Sequence, residues 1–177
     1  MRDSILIYKM KLGNEDAIEE FINKYYSDIY KYCYRRISSI ETSEDLTQET
    51  FEKFFKNINE YKHFGKAKNY LYVISGNLCR NHYKRKIHYY TERINENIEN
   101  IEELSISCIE DKITINEAIN LLPEELRDVI VLYFFQDLRL KEISQILDIK
   151  LSLVKYRITK GKEKLQAILE KEDFNLW

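Results

Sequence analysis

Glycine is scarce in this sequence, with four residues in 177, and no stretch has the spacing of a phosphate-cradling loop. GxxxxGK[ST], GxGxxG, GxSxG and HExxH patterns are all missing. Cysteine is scarce as well. Cys33, Cys79 and Cys108 are odd in number, far apart and never arranged as CxxC, so they read as buried free thiols rather than a disulfide or metal set. His63, His82 and His88 have no partner at ligand or catalytic spacing, so no metal or other cofactor is expected. Serines and carboxylates are plentiful, but none sits in a nucleophile setting, which weighs against an enzyme. No apolar run approaches the roughly 18 residues of a membrane span, and Met1–Leu12 lacks the apolar core of a signal peptide. The expectation is a cytoplasmic protein without membrane insertion.

Net charge is also small, −2 from 28 basic and 30 acidic residues, which at first argues against a polyanionic partner. Resolved along the chain, the balance is a cancellation. Residues 62–93 carry eight basic groups and only Glu92 against them, residues 94–111 carry six acidic groups and no basic one, and residues 150–164 carry six basic groups against Glu163. Two cationic blocks thus flank an acidic one.

Apolar spacing is helical almost throughout. Ala17, Phe21, Tyr25, Ile29 and Tyr32 predict a helix from Glu15 to about Ser38. A second helix is expected to start at Thr42 or Ser43, with Leu46, Phe51, Phe54, Phe55 and Ile58 as its apolar set. After Gly65 a third runs from Ala67 to Ile87, with Tyr70, Leu71, Ile74 and Leu78 on one face. Residues 91–111 have no sustained period and read as an acidic linker, ordered in part at most. The expected class is therefore all-α: a helical bundle over residues 1–90, a linker over 91–111 and a second helical domain over 112–177.

In that second domain, Ile113–Leu121 is one helix and Pro123 opens the next, with Leu126, Val129, Ile130, Tyr133 and Phe134 as its buried face. A turn at Gln136–Leu138 leads to a short helix, Arg139–Leu147. After a tight connection at Asp148–Leu151, Ser152 serves as the N-cap of a helix continuing past Leu165. Val154, Ile158 and Leu165 of that helix face inward, while Lys155, Tyr156, Arg157, Lys160, Lys162 and Lys164 face out. A short helix, a brief turn and a second helix with basic residues in its first turns is the layout of a helix-turn-helix reader of duplex DNA.

Taken together, two segments resemble the sigma-70 superfamily of bacterial transcription initiation factors, in particular its compact extracytoplasmic-function (ECF) group. Glu44-Asp45-Leu46-Thr47-Gln48-Glu49-Thr50-Phe51 resembles the E-D-L-x-Q-E-x-F signature, and Asn69-Tyr70-Leu71-Tyr72-Val73-Ile74 through Arg85 resembles the W-L-x-x-I-A stretch that follows it. Leu122-Pro123-Glu124-Glu125-Leu126-Arg127 and Glu142-Ile143-Ser144 through Leu165 are similar to the C-terminal L-P-x-x-x-R and E-I-A…V-K-x-R patterns. Five departures stand out: Tyr70 for the usual Trp, Asn81 for Asp, Asp148 for the turn Gly, and Leu153 and Tyr156 at the start of the recognition helix. The last of these keep the target sequence from being transferred.

The resemblance implies a protein that binds core RNA polymerase and directs it to promoters. Asp45, Gln48, Glu49 and Phe51 then dock on the β′ clamp, and the C-terminal domain meets the β flap. Lys62, His63, Phe64, Lys66 and Lys68 around Gly65 form a loop able to capture a base extruded from the −10 element. Asn69, Tyr70, Asn77, Arg80, Asn81, Lys84 and Arg85 lie along the next helix, suited to phosphates and base edges of that element. Tyr83, Tyr89 and Tyr90 interleave with them as packing or surface residues. At the other end, Ser152, Lys155, Tyr156, Thr159 and Lys160 take base- or phosphate-contacting positions on the −35 element, and Arg157 holds backbone. The resemblance further implies an anti-sigma protein as a possible partner. The alternative is a self-standing helix-turn-helix regulator, which leaves the Asp45–Phe51 segment without a role.

Overall fold

A computed structural model of the chain describes residues 3–62, 66–96 and 114–174, and every regular element among them is helical. Helix α1 (Asp3–Lys11), which the sequence reading did not single out, buries Leu6, Ile7 and Met10. It is tied down at both ends: Asp3 pairs with Lys24 at 2.5 Å and accepts from the Tyr25 hydroxyl at 2.6 Å, and Lys11 donates to the Tyr61 carbonyl at 3.0 Å. Gly13, at φ +78°, turns the chain into α2 (Glu15–Ile37) through a conformation that a side chain at this position would strain. The Asn14 side chain caps α2 by accepting from Ala17 N–H at 2.8 Å. All five apolar residues that predicted this helix are buried.

Helix α3 (Ile40–Lys56) starts earlier than expected. Ser39, rather than Thr42 or Ser43, is its N-cap, because the Ser39 hydroxyl accepts from Thr42 N–H while Ser43 is already buried in the first turn. Ser43, Thr47 and Thr50 are all buried, and each hydroxyl donates to the carbonyl four residues back at 2.5–2.7 Å. The hydroxyls are thus satisfied without a partner helix, and their small size lets α2 and α4 approach closely. Phe21 joins α2 to α3, stacked on Phe54 at 4.8 Å and edge-on to Tyr25 at 5.0 Å.

Helix α4 (Ala67–Glu96) is longer than its predicted end at Ile87, so residues 91–96 are helical rather than linker. Leu71, Tyr72, Ser75, Gly76, Leu78 and Cys79 are buried around its circumference because both halves of the protein pack on it. The remainder of the proposed linker lies outside the described residues, as do His63, Phe64 and Gly65.

Helix α5 (Ile115–Asn120) opens with a capping box, in which the Glu117 carboxylate accepts from Thr114 N–H at 2.7 Å and the Thr114 hydroxyl accepts from Glu117 N–H. That bonding holds the Glu117 carboxyl below its usual range. Pro123 caps α6 (Glu124–Ile130), which continues as a π-helical turn over Val131–Phe135. This turn corrects the expected buried face. A wider repeat rotates Val131 and Leu132 into the core and leaves Tyr133 and Phe134 38% and 50% exposed. Helix α7 (Leu140–Leu147) buries Ile143 and Ile146, and Asp148 ends it at φ +52°, an Asp tolerating the left-handed turn that a glycine fills in the resembling pattern. Helix α8 (Leu151–Phe174) begins one residue before Ser152, which is therefore not the N-cap. Instead the Lys150 carbonyl accepts from Leu153 and Val154 N–H.

Candidate nucleic-acid and protein-docking surfaces

Three exposed faces hold the candidate residues. The first lies between α2 and α3. Glu44, Asp45, Gln48 and Glu52 on α3 and Ile18, Ile22 and Tyr26 on α2 rim an open groove of about 680 Å³, floored by Phe51 and Phe55. Asp45 and Gln48 are exposed, Glu49 is half-buried and paired with Lys53 at 2.9 Å, and Gln48 donates to Glu52 at 2.8 Å. Phe51 is buried, so it supports the groove as core rather than projecting from it. A row of rings, Tyr26, Tyr30 and Tyr34, runs along α2 at 6.2–6.4 Å spacing, and Tyr26 also stacks on Phe51. The helical four-residue step produces this row, which the sequence reading did not pick out.

The second face is the outer side of α4 and the segment before it. Lys62, Lys66, Asn77, Asn81, Lys84 and Arg85 are exposed, whereas Lys68, Asn69, Tyr70 and Arg80 are half-buried. Lys68 pairs with Asp28 at 2.7 Å. Tyr70 packs on Tyr61 at 5.2 Å and Phe54 at 6.0 Å, so the aromatic at this position anchors the start of α4 to the core. The Tyr83 hydroxyl donates to the Arg36 carbonyl and lies under the Arg127 guanidinium, which makes Tyr83 a packing residue. The side chains of Tyr89 and Tyr90 lie outside the described set.

The third face is the start of α8. Val154 and Ile158 are buried and hold the helix on α6 and α7. Ser152, Lys155, Tyr156, Thr159 and Lys160 all project outward together, and Arg157 is half-buried. Lys160 pairs with Glu163 at 2.7 Å, which holds its ammonium charged. These five exposed residues form one stripe along the start of α8.

One feature was not expected from sequence. The two halves meet through a buried ion pair, Arg36 Nη1 to Asp128 Oδ1 at 2.5 Å, with Arg36 fully buried and Asp128 4% exposed. Arg36 also donates to the Tyr32 hydroxyl at 2.7 Å, and Arg80 stands 3.7 Å from Asp128. Burial pushes the Asp128 carboxyl up while Arg36 and Arg80 draw it back down. Beneath the pair, Cys33 and Cys79 are buried and share a hydrogen bond that pushes the Cys33 thiol up and the Cys79 thiol down.

Comparison with known proteins matches both halves. The family model for sigma-70 region 2 matches residues 21–88, and that for sigma-70 region 4 matches residues 112–165. The chain is 32% identical over 176 residues to the ECF RNA polymerase sigma factor SigW of Bacillus subtilis (strain 168), covering 92% of this chain and 94% of that one. It is 27% identical over 167 residues to the RNA polymerase sigma factor YlaC of the same organism, covering 90% and 96%. Among solved structures, CnrH in complex with the cytosolic domain of CnrY aligns with a TM-score of 0.72 at 18% identity, over 96% of this chain and 97% of that one. The sigma factor RpoE in complex with the anti-sigma factor NepR from Bartonella quintana aligns with a TM-score of 0.64 at 16% identity, over 86% and 96%. At these identities the two structures establish the fold.

Proposed function

This chain belongs to the ECF group of sigma-70 RNA polymerase sigma factors, which direct the enzyme to promoters, and we propose how its three faces divide that work. The α2–α3 groove docks on the β′ clamp of core RNA polymerase. Its apolar floor supplies most of the affinity, while Asp45 and Gln48 on the rim fix register and steer encounter. Residues 1–90 form the unit for this docking and for the −10 element, and residues 112–177 form the unit for the −35 element, with the β flap as its polymerase contact. Exposed Asn77, Asn81, Lys84 and Arg85 on α4 take phosphates and base edges of the opened strand. The Lys62–Lys68 segment captures an extruded base; stacking worth about 1–3 kcal/mol per base offsets the few kcal/mol that unstacking costs, so no ATP is needed.

At the second element, the Ser152–Lys160 stripe enters the major groove, where Lys155, Tyr156 and Thr159 specify and Arg157 positions. The protein performs no covalent chemistry of its own and works in the cytoplasm; no helix among the described residues is long and apolar enough to cross a membrane. An anti-sigma protein is the natural regulator of such a factor, and RpoE, of the same fold, is described with one.

The observation that carries this reading is the groove beneath the Glu44–Phe51 segment, which a self-standing DNA-binding regulator has no use for. Mixing the purified chain with core polymerase on promoter-bearing templates tests it. Promoter-specific run-off transcripts are expected; tight duplex binding by the chain alone with no transcripts would establish the regulator instead.

A further inference from the structure

We propose that Tyr156 reads thymine: its ring, with the Thr159 methyl beside it, packs on the C5 methyl group of a thymine in the −35 element and makes T·A the favoured pair there. This inference rests on the assignment of the α8 stripe to that element and names the base that the stripe selects. At about 3.6 residues per turn, successive residues lie about 100° apart, so Tyr156 stands about 160° from Val154 on one side and from Ile158 on the other. Both of those are buried and hold α8 to the domain. Tyr156 is thus the side chain of the first two turns that points most directly away from the core, and its ring is 58% exposed. A helix that enters a groove with this face foremost carries that ring to the base edges first.

The neighbouring groups decide the chemistry. The Thr159 hydroxyl donates to the Lys155 carbonyl at 3.2 Å, so its hydrogen is taken up within the helix and its methyl is the group left to offer. Lys160 is paired with Glu163 at 2.7 Å, which draws its ammonium toward the next turn. Tyr156 and Thr159, three residues apart, are neighbours on the helix surface. Ring and methyl therefore make one apolar patch among Ser152, Lys155 and Lys160, which are polar and exposed. In the major groove every base edge offers hydrogen-bonding groups, but thymine alone carries a methyl group. An apolar patch at the leading edge of the helix has that one match among the four bases. The Tyr156 hydroxyl can donate to a purine or to thymine O4, so it adds affinity with little choice, while the methyl contact chooses. Removing one methyl from such a contact costs about fourfold, from about 0.8 kcal/mol per buried carbon at about 1.4 kcal/mol per tenfold.

The test combines core polymerase with the full chain, Tyr156→Phe or Tyr156→Ala, after circular dichroism has confirmed equal helicity. Each holoenzyme transcribes templates randomised across the −35 window, transcripts are sequenced, and each protein's base preferences are normalised to its own mean. The wild type is expected to enrich thymine at a position in that window. Tyr156→Phe should keep the enrichment, and Tyr156→Ala should lose it there while its other preferences stand. On single templates, deoxyuridine in place of thymidine at that position removes the methyl alone. It should lower transcription by the wild type and Tyr156→Phe about fourfold and leave Tyr156→Ala unchanged. Thymine enriched equally by Tyr156→Ala, or deoxyuridine used as well as thymidine by the wild type, would overturn the proposal. Loss of the preference in Tyr156→Phe would also overturn it, by making the hydroxyl the reader. Transcripts that ignore the randomised window altogether would instead remove the −35 assignment, and this inference with it.

Discussion

Gly161→Ala tests how closely the recognition helix must approach its neighbour. Gly161 lies buried in α8, and a Cβ built there meets Ile130 Cγ1 at 2.7 Å and Cδ1 at 2.9 Å. Ile130 is 1% exposed and β-branched, so its Cγ1 has no free rotamer to escape into. Overpacking of this kind costs about 1–3 kcal/mol. Against it stands the gain of about 1 kcal/mol from replacing a mid-helix glycine with alanine. The first effect should win, for a net loss of up to about 2 kcal/mol. In urea the midpoint should fall without a change in slope. Ile130→Ala in the same background removes both clashing carbons, so its cost should drop below the roughly 2–5 kcal/mol it carries alone. A Gly161→Ala protein more stable by about 1 kcal/mol would refute the reasoning, because helix propensity alone would then account for it.

The other expectations separate the faces. Asp45→Lys reverses an exposed rim charge, so stability should hold within about 0.5 kcal/mol while affinity for core polymerase drops at least about tenfold in a titration of labelled protein; unchanged affinity would remove the groove from the docking surface. Lys155→Ala should weaken −35-dependent initiation by about 1–3 kcal/mol in transition-state terms and leave core binding intact, as read by run-off on templates with and without that element. Tyr25→Phe removes the hydroxyl that donates to Asp3, at a cost of about 1.5–3 kcal/mol; hydrogen exchange should show α1 losing protection at Leu6 and Ile7 before the bundle does.

What the sequence made legible was what repeats locally. Ala17 through Tyr32 step by three or four and are all buried, and Val154 and Ile158 do the same on α8, because burial of a helix face imposes that period on the chain. The errors fall where a local rule was overridden. Ser152 has the chemistry of a cap, yet it lies inside the first turn because α8 begins at Leu151. Tyr133 and Phe134 were placed inward by a 3.6-residue period that the π-helical turn breaks. The exposure of Asp45 and Gln48 on α3 and of Lys155, Tyr156, Thr159 and Lys160 on α8 follows from the same period, which also places Phe51 in the core. Arg36 was not: an arginine late in a helix signals a solvated face, and only the fold brings Asp128 against it.

The near-zero net charge then acquires a structural meaning. Part of the cationic block over residues 62–93 is not left bare: Lys68 faces Asp28, Arg80 faces Asp128, and Lys66 donates to Gln145, while Lys62, Lys84 and Arg85 stay exposed. The acidic partners come from α2 and α6, which lie outside that block. Affinity through counterion release scales with the number of phosphates neutralised together, so these internal pairings compete with a polyanion for part of the block. Added salt loosens the more exposed Lys68–Asp28 pair before the buried Arg36–Asp128 pair, which is screened far less.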